Sequence, residues 1–325
     1  MLKFHALLTA FIVGLSSFLF IQPAFAASKT INGLSVSPAI INIQASPGQD
    51  VVTFNETITN ITTNQLAVNL SVKDFGALNA SGSIGFYGSG YKSFTNPHSL
   101  SSAIDLPTTE YLINPHQSQT ISVNINNVSQ LSAGGHYSAL IFTPFIAISG
   151  ATHNQVNLQP SVASLIFLTT ASGGVQGVKL GGLSMASIGF TLPSNVYVLL
   201  TNTGNTQIIP RGSVTLKGPT SNLITQSIIN SNSGLILPNT SRLFNETLTS
   251  SHDLFKLAGI YHLQLIYRVD GSSNFQTATK SFLYINPLIF VFLLLIILII
   301  RFFVGHHKKS KYKTKVKRRF RRAKL

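Results

Sequence analysis

The fold prediction starts from Leu66-Ala-Val-Asn-Leu-Ser-Val72, in which apolar residues alternate with small or polar ones. A period of two puts every second side chain on one face of a β-strand, so this stretch predicts a strand with one buried face. The stretch Ile121-Ser-Val-Asn-Ile125 repeats the pattern. Tyr137–Ile148 and Val162–Leu168 are apolar on both faces of the predicted strand, which predicts central strands. No stretch between the two ends of the chain has a helical period, so we predict an all-β fold.

The strand pattern occurs twice along the chain. A hairpin is clear in the second copy, where Tyr261–Val269 alternates, Asp270-Gly271 turns and Phe275–Ile285 returns. Three motifs recur in the same order: Thr59–Gln65 with Thr201–Gln207, Tyr111–Pro115 with Leu235–Pro238, and Gly134–Tyr137 with Ala258–Tyr261. Short strands separated by turns, in units of about 100 residues, are typical of immunoglobulin-like domains. The sequence predicts two tandem immunoglobulin-like β-sandwiches, residues 27–175 and 176–285, with an insertion in the first.

The N-terminal segment predicts export. Lys3 supplies a basic start, Ala6–Ile21 is apolar, and Ala24-Phe-Ala26 fits the cleavage pattern Ala-x-Ala. Residues 1–26 are therefore predicted to be a signal peptide. The alternative, a second membrane helix, is weaker because the segment is short and Pro23 ends it.

The C-terminal segment predicts a membrane anchor. Leu288–Ile300 contains only apolar residues, and apolar residues continue on both sides. A helix rises about 1.5 Å per residue, so about 20 such residues cross the roughly 30 Å of hydrocarbon in a bilayer. We predict one C-terminal transmembrane helix over residues 286–304 and a basic cytoplasmic tail over 305–325. Lys and Arg next to a membrane helix remain on the cytoplasmic side, which sets its orientation. We therefore predict a single-pass cell-membrane protein whose N-terminal domains are extracytoplasmic.

The net charge of +15 comes mainly from that tail, since Lys308–Lys324 contains 11 of the 23 Lys and Arg residues. A nucleic-acid-binding protein would carry its basic patch on the folded part, so we expect no nucleic-acid partner. We expect the tail to fix the topology and to attract anionic lipid headgroups, and the alternative is that it binds a specific cytoplasmic partner. The residues predicted to contact the membrane and its lipids are Arg301, Lys308, Lys309 and Lys311.

No residue pattern indicates catalysis. The chain has no Cys, which excludes thiol chemistry and Cys-based metal sites. Of its nine His, only the adjacent pair His306-His307, at the predicted lipid boundary, has a spacing that could suit a metal ligand pair. Nucleophile-elbow, zinc-protease and phosphate-loop motifs are absent as well. We predict no catalytic residues, no metal site, no cofactor and no enzymatic activity. Groups that meet only in space, such as two close carboxylates in a cleft, are the exception left open.

The insertion, Gly76–Leu100, is the one stretch that suggests recognition. It interleaves Gly and Ser with aromatic residues, a combination that gives rigid contact area among adaptable polar neighbours. The candidate ligand-binding residues are Phe86, Tyr87, Tyr91 and Phe94. The alternative is that the insertion covers the end of the sandwich and its aromatic side chains fill the core.

Glu56 is anomalous, because it shares parity with Val52, Phe54 and Ile58 and would lie on a buried face. Burying a carboxylate without partners is unfavourable. We expect a β-bulge that turns Glu56 outward, and the alternative is a buried functional carboxylate.

Several of these landmarks resemble the WxL-interacting protein family. They are Ser37-Pro38, Asn60, Pro115 and Gly134–Phe142 in the first half, and Asn202–Asn205, Pro210-x-Gly212 and Leu237–Phe244 in the second. The resemblance implies a bacterial surface protein with tandem immunoglobulin-like domains, a membrane helix and a basic tail. It also implies a first domain associated with peptidoglycan and a second that binds a host or partner protein.

Two functions follow from these observations. The first is a non-enzymatic, membrane-anchored surface protein that binds cell-wall polymer (peptidoglycan-like) or another surface protein through its β-sandwich domains. The alternative is an extracytoplasmic chaperone or assembly factor that holds partner subunits by adding a strand to an open sheet edge. An exposed, uncharged edge strand in the first domain would favour the alternative, and a charged or covered edge would count against it.

Overall fold

The structure, a computed structural model, describes residues 33–87, 97–145, 160–249 and 256–303. Its described part is built from β-strands, as the alternating pattern predicts. In chain order the strands are β1 (Leu34–Ser37), β2 (Ile40–Gln44), β3 (Val52–Asn60), β4 (Leu66–Ala77), β5 (Ile84–Phe86), β6 (Ile104–Asp105), β7 (Glu110–Ile113), β8 (Ser118–Ile125), β9 (Gly135–Phe145), β10 (Val162–Thr169), β11 (Val178–Ser184), β12 (Ile188–Gly189), β13 (Asn195–Asn202), β14 (Pro210–Lys217), β15 (Leu223–Ile229), β16 (Ser241–Thr247), β17 (Gly259–Val269) and β18 (Gln276–Tyr284).

The first ten strands form two facing sheets, which we call the first sandwich. One sheet has the order β1-β3-β8-β6, and the other has the order β2-β10-β9-β4-β5, with β7 also paired to β4. The alternating stretches lie in β4 and β8, where Val68, Leu70, Ile121 and Val123 are buried. β9 and β10 are interior strands, as their apolar composition predicts.

The remaining strands form a second sandwich with its own core. Its sheets have the orders β11-β13-β16 and β12-β18-β17-β14-β15. The predicted hairpin is present as β17 and β18, paired from Gly259 with Tyr284 to Tyr267 with Gln276. The core side chains of the two sandwiches form separate hydrophobic clusters, so each sandwich buries its own apolar face. The all-β, immunoglobulin-like fold is confirmed, whereas the domain boundaries remain predictions.

The first strand of each sandwich is split between its two sheets. In the first sandwich, β1 pairs antiparallel with β3, and β2 pairs parallel with β10. In the second, β11 pairs antiparallel with β13, and β12 pairs parallel with β18. The repeat in the sequence therefore corresponds to a repeat in topology.

A buried asparagine at the end of the same strand explains the most similar motif. The Asn60 side chain donates to the carbonyls of Asn64 and Ile113, and the Asn202 side chain donates to the carbonyls of Thr206 and Ile236. Each side-chain oxygen accepts a backbone N–H two residues ahead. Buried polar groups need such partners, so each amide fixes the turn that follows it and a neighbouring segment.

After β18 the chain enters a helix, α1, over residues 288–303. Its apolar side chains are exposed, from 38% at Leu288 to 69% at Phe292. In the described part of the chain, no helix reaches the length and apolarity needed to cross a bilayer. The predicted transmembrane helix over 286–304 therefore stays a prediction. The predicted signal peptide and basic tail lie outside the described residues.

Candidate functional site

The first sandwich has an open, uncharged edge at β2. This strand pairs on one side with β10, where Ile40 lies opposite Leu165 and Asn42 opposite Phe167, and it is the last strand of its sheet. Its sequence, Ile-Ile-Asn-Ile-Gln, has no charged residue, and Ile40 is 50% exposed. Natural edge strands usually carry charges, bulges or covers that prevent further pairing. β2 carries no charge, and no further strand pairs with it among the residues that the structure describes.

The β2 edge faces a cleft between the two sandwiches. A cavity of about 620 Å³ lies there, lined on the first sandwich by Ile40 and Asn42. The second sandwich contributes Gln207, Ile209, Leu235 and Asp270, among others. A second cavity of about 150 Å³ shares Ile40 and Leu235 with the first. The two cavities therefore adjoin at the exposed end of β2.

The floor of the smaller cavity is apolar. Phe75, Tyr137 and Phe167 pack against one another on the outer face of the first sandwich, with ring centroids 5.3 to 6.0 Å apart. Leu237 of the second sandwich belongs to the same cluster. This apolar surface adjoins the larger cavity at Ile40 and Leu235.

Tyr137 also joins the two sandwiches. Its hydroxyl donates a hydrogen bond of 2.9 Å to Oε1 of Gln207. Burial raises the pKa of the Tyr137 phenol well above its usual value, with a smaller opposing effect from Gln207. The phenol therefore stays protonated and keeps its role as donor.

Hydrogen bonds to backbone groups connect the two sandwiches on either side of the cleft. The N–H of Gly135 donates to the carbonyl of Asn205, and the Asn205 side chain donates to the carbonyls of Ala133 and Gly173. At Gly134, φ is +125° and a Cβ would lie 2.5 Å from the Asn205 carbonyl oxygen, so only glycine allows this close approach. A further contact joins the two sandwiches, since the N–H of Leu243 in the second donates to the carbonyl of Ala80 in the first.

Two charged groups lie at the cleft, and both have partners. Asp270 forms an ion pair with Arg211, with 3.1 Å between the Asp Oδ2 and the Arg Nε. Arg242 lines the smaller cavity, donates to the carbonyl of Leu235 and lies over the ring of Phe244. The cleft is thus mostly apolar or neutral, which suits an extended peptide segment better than a highly charged ligand.

The predicted aromatic site is only partly described. Phe86 in β5 is half-buried and packs against the cluster of Phe75, Tyr137 and Phe167. Tyr87 is half-buried, and its pKa is raised first by burial and then by the nearby Asp74 carboxylate. Tyr91 and Phe94 lie outside the described residues. The ligand-binding role of these four residues remains a prediction.

Only one of the four residues predicted to contact the membrane lies in the described part of the chain. Arg301 is exposed in α1. Lys308, Lys309 and Lys311 lie outside the described residues, so their lipid contacts remain predictions. Within the described ranges, no group of three His, Asp or Glu side chains is placed to hold a metal ion.

The expected outward turn of Glu56 is wrong. Glu56 pairs in regular register with Ile121 and is fully buried. Its Oε2 lies 3.1 Å from Ser164 Oγ, and its Oε1 has no hydrogen-bond partner. Its alternation with Val52 and Ile58 therefore predicts correctly that Glu56 faces the core.

The surroundings of Glu56 favour its neutral form. Burial raises the pKa of the carboxyl to about 7, and the Ser164 hydroxyl lowers it in part. Ser164 Oγ also lies 2.6 Å from the carbonyl oxygen of Pro38. A hydroxyl has one hydrogen, so when Ser164 donates to Pro38 a protonated Glu56 can donate to Ser164. Protonation thus relieves the cost of burying this carboxyl.

Sequence reasoning missed the cleft itself. Gln207, Leu235 and Arg242 carry no local signal, because they acquire their positions only when two sandwiches pack together. The uncharged β2 segment was visible in the sequence, but its place at a sheet edge depends on the order of the strands.

Comparison with known proteins gives distant structural similarity. No family model matches the chain, and no curated protein matches it. Among solved structures, it is similar to the class 5 fimbriae chaperone CfaA, with 10% identity, 76% of this chain and 98% of that chain covered, and a TM-score of 0.39. The YadV chaperone has 14% identity, with 76% and 100% covered and a TM-score of 0.37. The E. coli chaperone DraB has 12% identity, with 75% and 97% covered and a TM-score of 0.36. Values this low do not assign the chain to a family.

Proposed function

We propose that this chain is a non-enzymatic, extracytoplasmic chaperone or assembly factor that holds an extended segment of another surface protein by β-strand addition. The observation that carries the proposal is the exposed, uncharged β2 edge, which faces a cavity of about 620 Å³ between the sandwiches. An exposed, uncharged edge strand in the first sandwich favours a chaperone that acts by strand addition.

The bound segment would extend the sheet beyond β2. Its backbone would pair with β2, and every second side chain would point into the cleft, whose lining includes Ile40, Ile209 and Leu235. The chemistry of the cleft therefore selects an extended segment with apolar residues at alternate positions and little charge. Backbone pairing provides affinity, and the cavity provides the choice of side chain.

We also propose that the chain acts at the outer face of a membrane. The signal-peptide pattern of residues 1–26, the apolar run Leu288–Ile300 and the basic tail support this location. We propose membership of the WxL-interacting family from the sequence landmarks given above. Binding of peptidoglycan-like polymer stays a prediction from that resemblance, and the aromatic insertion as a ligand site stays a prediction from its composition.

The test uses the full-length chain in nanodiscs and two fluorescent peptides. One peptide alternates Val and Ser, and the other has the same composition with the Val residues in one block. We expect the alternating peptide to bind more tightly, measured by fluorescence anisotropy. Ile40→Lys places a charge on the β2 edge and should weaken its binding about tenfold or more, which corresponds to roughly 1.4 kcal/mol.

The matched control is Gln226→Lys on β15, an uncharged edge strand of the second sandwich. This change should leave peptide binding as in the wild type. If Ile40→Lys has no effect, β2 is not the site. If Gln226→Lys alone abolishes binding, strand addition takes place at the second sandwich instead. Equal binding of the two peptides would reject recognition by alternate side chains.

A further inference from the structure

Three exposed apolar side chains form a row across the second sandwich. Ile188 in β12 lies opposite Leu283 in β18, and Leu283 lies opposite Ile260 in β17. They are 58%, 41% and 52% exposed. Directly opposed residues on neighbouring strands project from the same face of a sheet, so the row is one continuous apolar surface.

This row lies where the chain enters α1. β18 ends at Tyr284 and the helix covers residues 288–303. Phe190, which follows β12 and is 56% exposed, packs edge-to-face on Phe290 of the helix with 6.0 Å between ring centroids. Leu257, just before β17, is 62% exposed. The apolar surface of the sandwich is therefore continuous with that of the helix.

On β18, β17 and β14, the same face becomes polar one row away from the helix. Two residues before Leu283 in β18, Ser281 lies opposite His262, and His262 lies opposite Lys217. Beyond these, Thr279 lies opposite Gln264. An apolar band next to a band that carries Lys and His matches the polarity change at a bilayer surface, where acyl chains give way to headgroups.

We infer that the row Ile188–Leu283–Ile260, with Leu257 and Phe190, rests in the bilayer at the boundary between acyl chains and headgroups. The second sandwich then lies against the membrane. The continuity of the row with the apolar helix identifies the lipid bilayer as its occupant. This inference rests on the proposed membrane location of α1.

The absence of Cys from the chain permits a direct test by site-directed spin labelling. Single substitutions Leu283→Cys and Ile260→Cys carry a nitroxide on the row. Thr279→Cys, on the same face of β18, is the matched control, and Leu295→Cys reports on the helix. The full-length protein is placed in vesicles of phosphatidylcholine and phosphatidylglycerol. The exposure of each label to oxygen and to a water-soluble nickel complex is then measured.

We expect the labels at 283 and 260 to be accessible to oxygen and protected from nickel, and the label at 279 to be accessible to nickel. If the labels at 283 and 260 are accessible to nickel while the label at 295 is protected from it, α1 lies in the membrane but the row does not, and this inference is wrong. If the label at 295 is also open to nickel, the proposed membrane location of α1 fails, and this inference fails with it. All four positions are exposed, so the labels remove no core contact.

Discussion

The two sandwiches share a frame but differ at the second half of their split first strand. Asn60 and Asn202 make equivalent buried hydrogen bonds, and β2 and β12 both pair in parallel with the last strand of their sandwich. In the first sandwich this half-strand spans five residues and borders the cleft. In the second it spans two residues and lies beside the helix. Buried polar contacts preserve the fold, whereas the exposed edge is free to acquire different roles.

A second difference lies inside the cores. Counting back from the equivalent asparagines, Glu56 of β3 occupies the position that Val198 occupies in β13, and both are fully buried. Only the first sandwich therefore places a titratable group in its core at this point. Its stability should depend on pH in a way that the stability of the second does not.

The largest expected effect comes from removing the shared asparagines. Asn60→Ala and Asn202→Ala each remove three hydrogen bonds of a buried side chain, two donated to carbonyls and one accepted from a backbone N–H. At about 1 kcal/mol per bond, we expect each to lower the unfolding free energy by about 3 kcal/mol. Hydrogen exchange with mass spectrometry should locate the loss of protection in the first sandwich for Asn60→Ala and in the second for Asn202→Ala. Asn195→Ala, at an exposed position, is the control and should change little. A large loss for only one of the two variants would break the proposed equivalence.

The next effect concerns Glu56 and pH. Its pKa in the folded protein is about 7, against a usual value of 4.5, so the folded state binds more protons between these values. Stability of the first sandwich is therefore greatest below about pH 4.5 and declines as pH rises through 7, by up to about 3 kcal/mol. Glu56→Gln should remove this slope, measured by hydrogen exchange at pH 5 and pH 8 after correction for intrinsic rates. An unchanged slope in Glu56→Gln would assign the pH dependence to another group.

A smaller effect is expected at the contact between the sandwiches. Gln207→Ala removes the acceptor of the Tyr137 hydroxyl, and we expect a cost of about 1 kcal/mol that weakens the coupling of the two sandwiches. Scanning calorimetry should then show a broader or divided transition. Gln226→Ala, on the exposed β15 edge, is the matched control and should leave the transition unchanged. Identical transitions for both variants would mean that the Tyr137 contact does not couple the units.

The smallest effect on stability is expected at the two half-strand edges. Ile40→Thr and Ile188→Thr change half-exposed side chains, so each should alter the unfolding free energy by less than about 0.5 kcal/mol. Their functional effects should nevertheless differ, because only Ile40 borders the cleft. Ile40→Thr should weaken binding of the alternating peptide, whereas Ile188→Thr should not. Equal peptide binding by both variants would remove the distinction between the edges.

Much of the fold was predictable because its signals are local. The alternation in Leu66–Val72 and in Tyr261–Val269 encodes which face of a strand is buried, and the Asp270-Gly271 turn encodes the hairpin. The repeated asparagine motif encodes the second copy, because the same side-chain hydrogen bonds need the same residue in each sandwich. Parity also placed Glu56 inside, although the expected cost of burial led to the wrong interpretation.

The strands, their buried faces and the two copies could be predicted because they follow from residue spacing along one segment. The open edge at β2, the position of Gln207 and Leu235 across a cleft from it, and the row of Ile188, Leu283 and Ile260 follow from the way the strands pair and the sandwiches pack. Sheet order and the packing of one sandwich on the other depend on contacts between distant segments, for which no single stretch carries a signal. The same reason explains Ser164, whose hydroxyl meets Glu56 across the core from a strand 108 residues away.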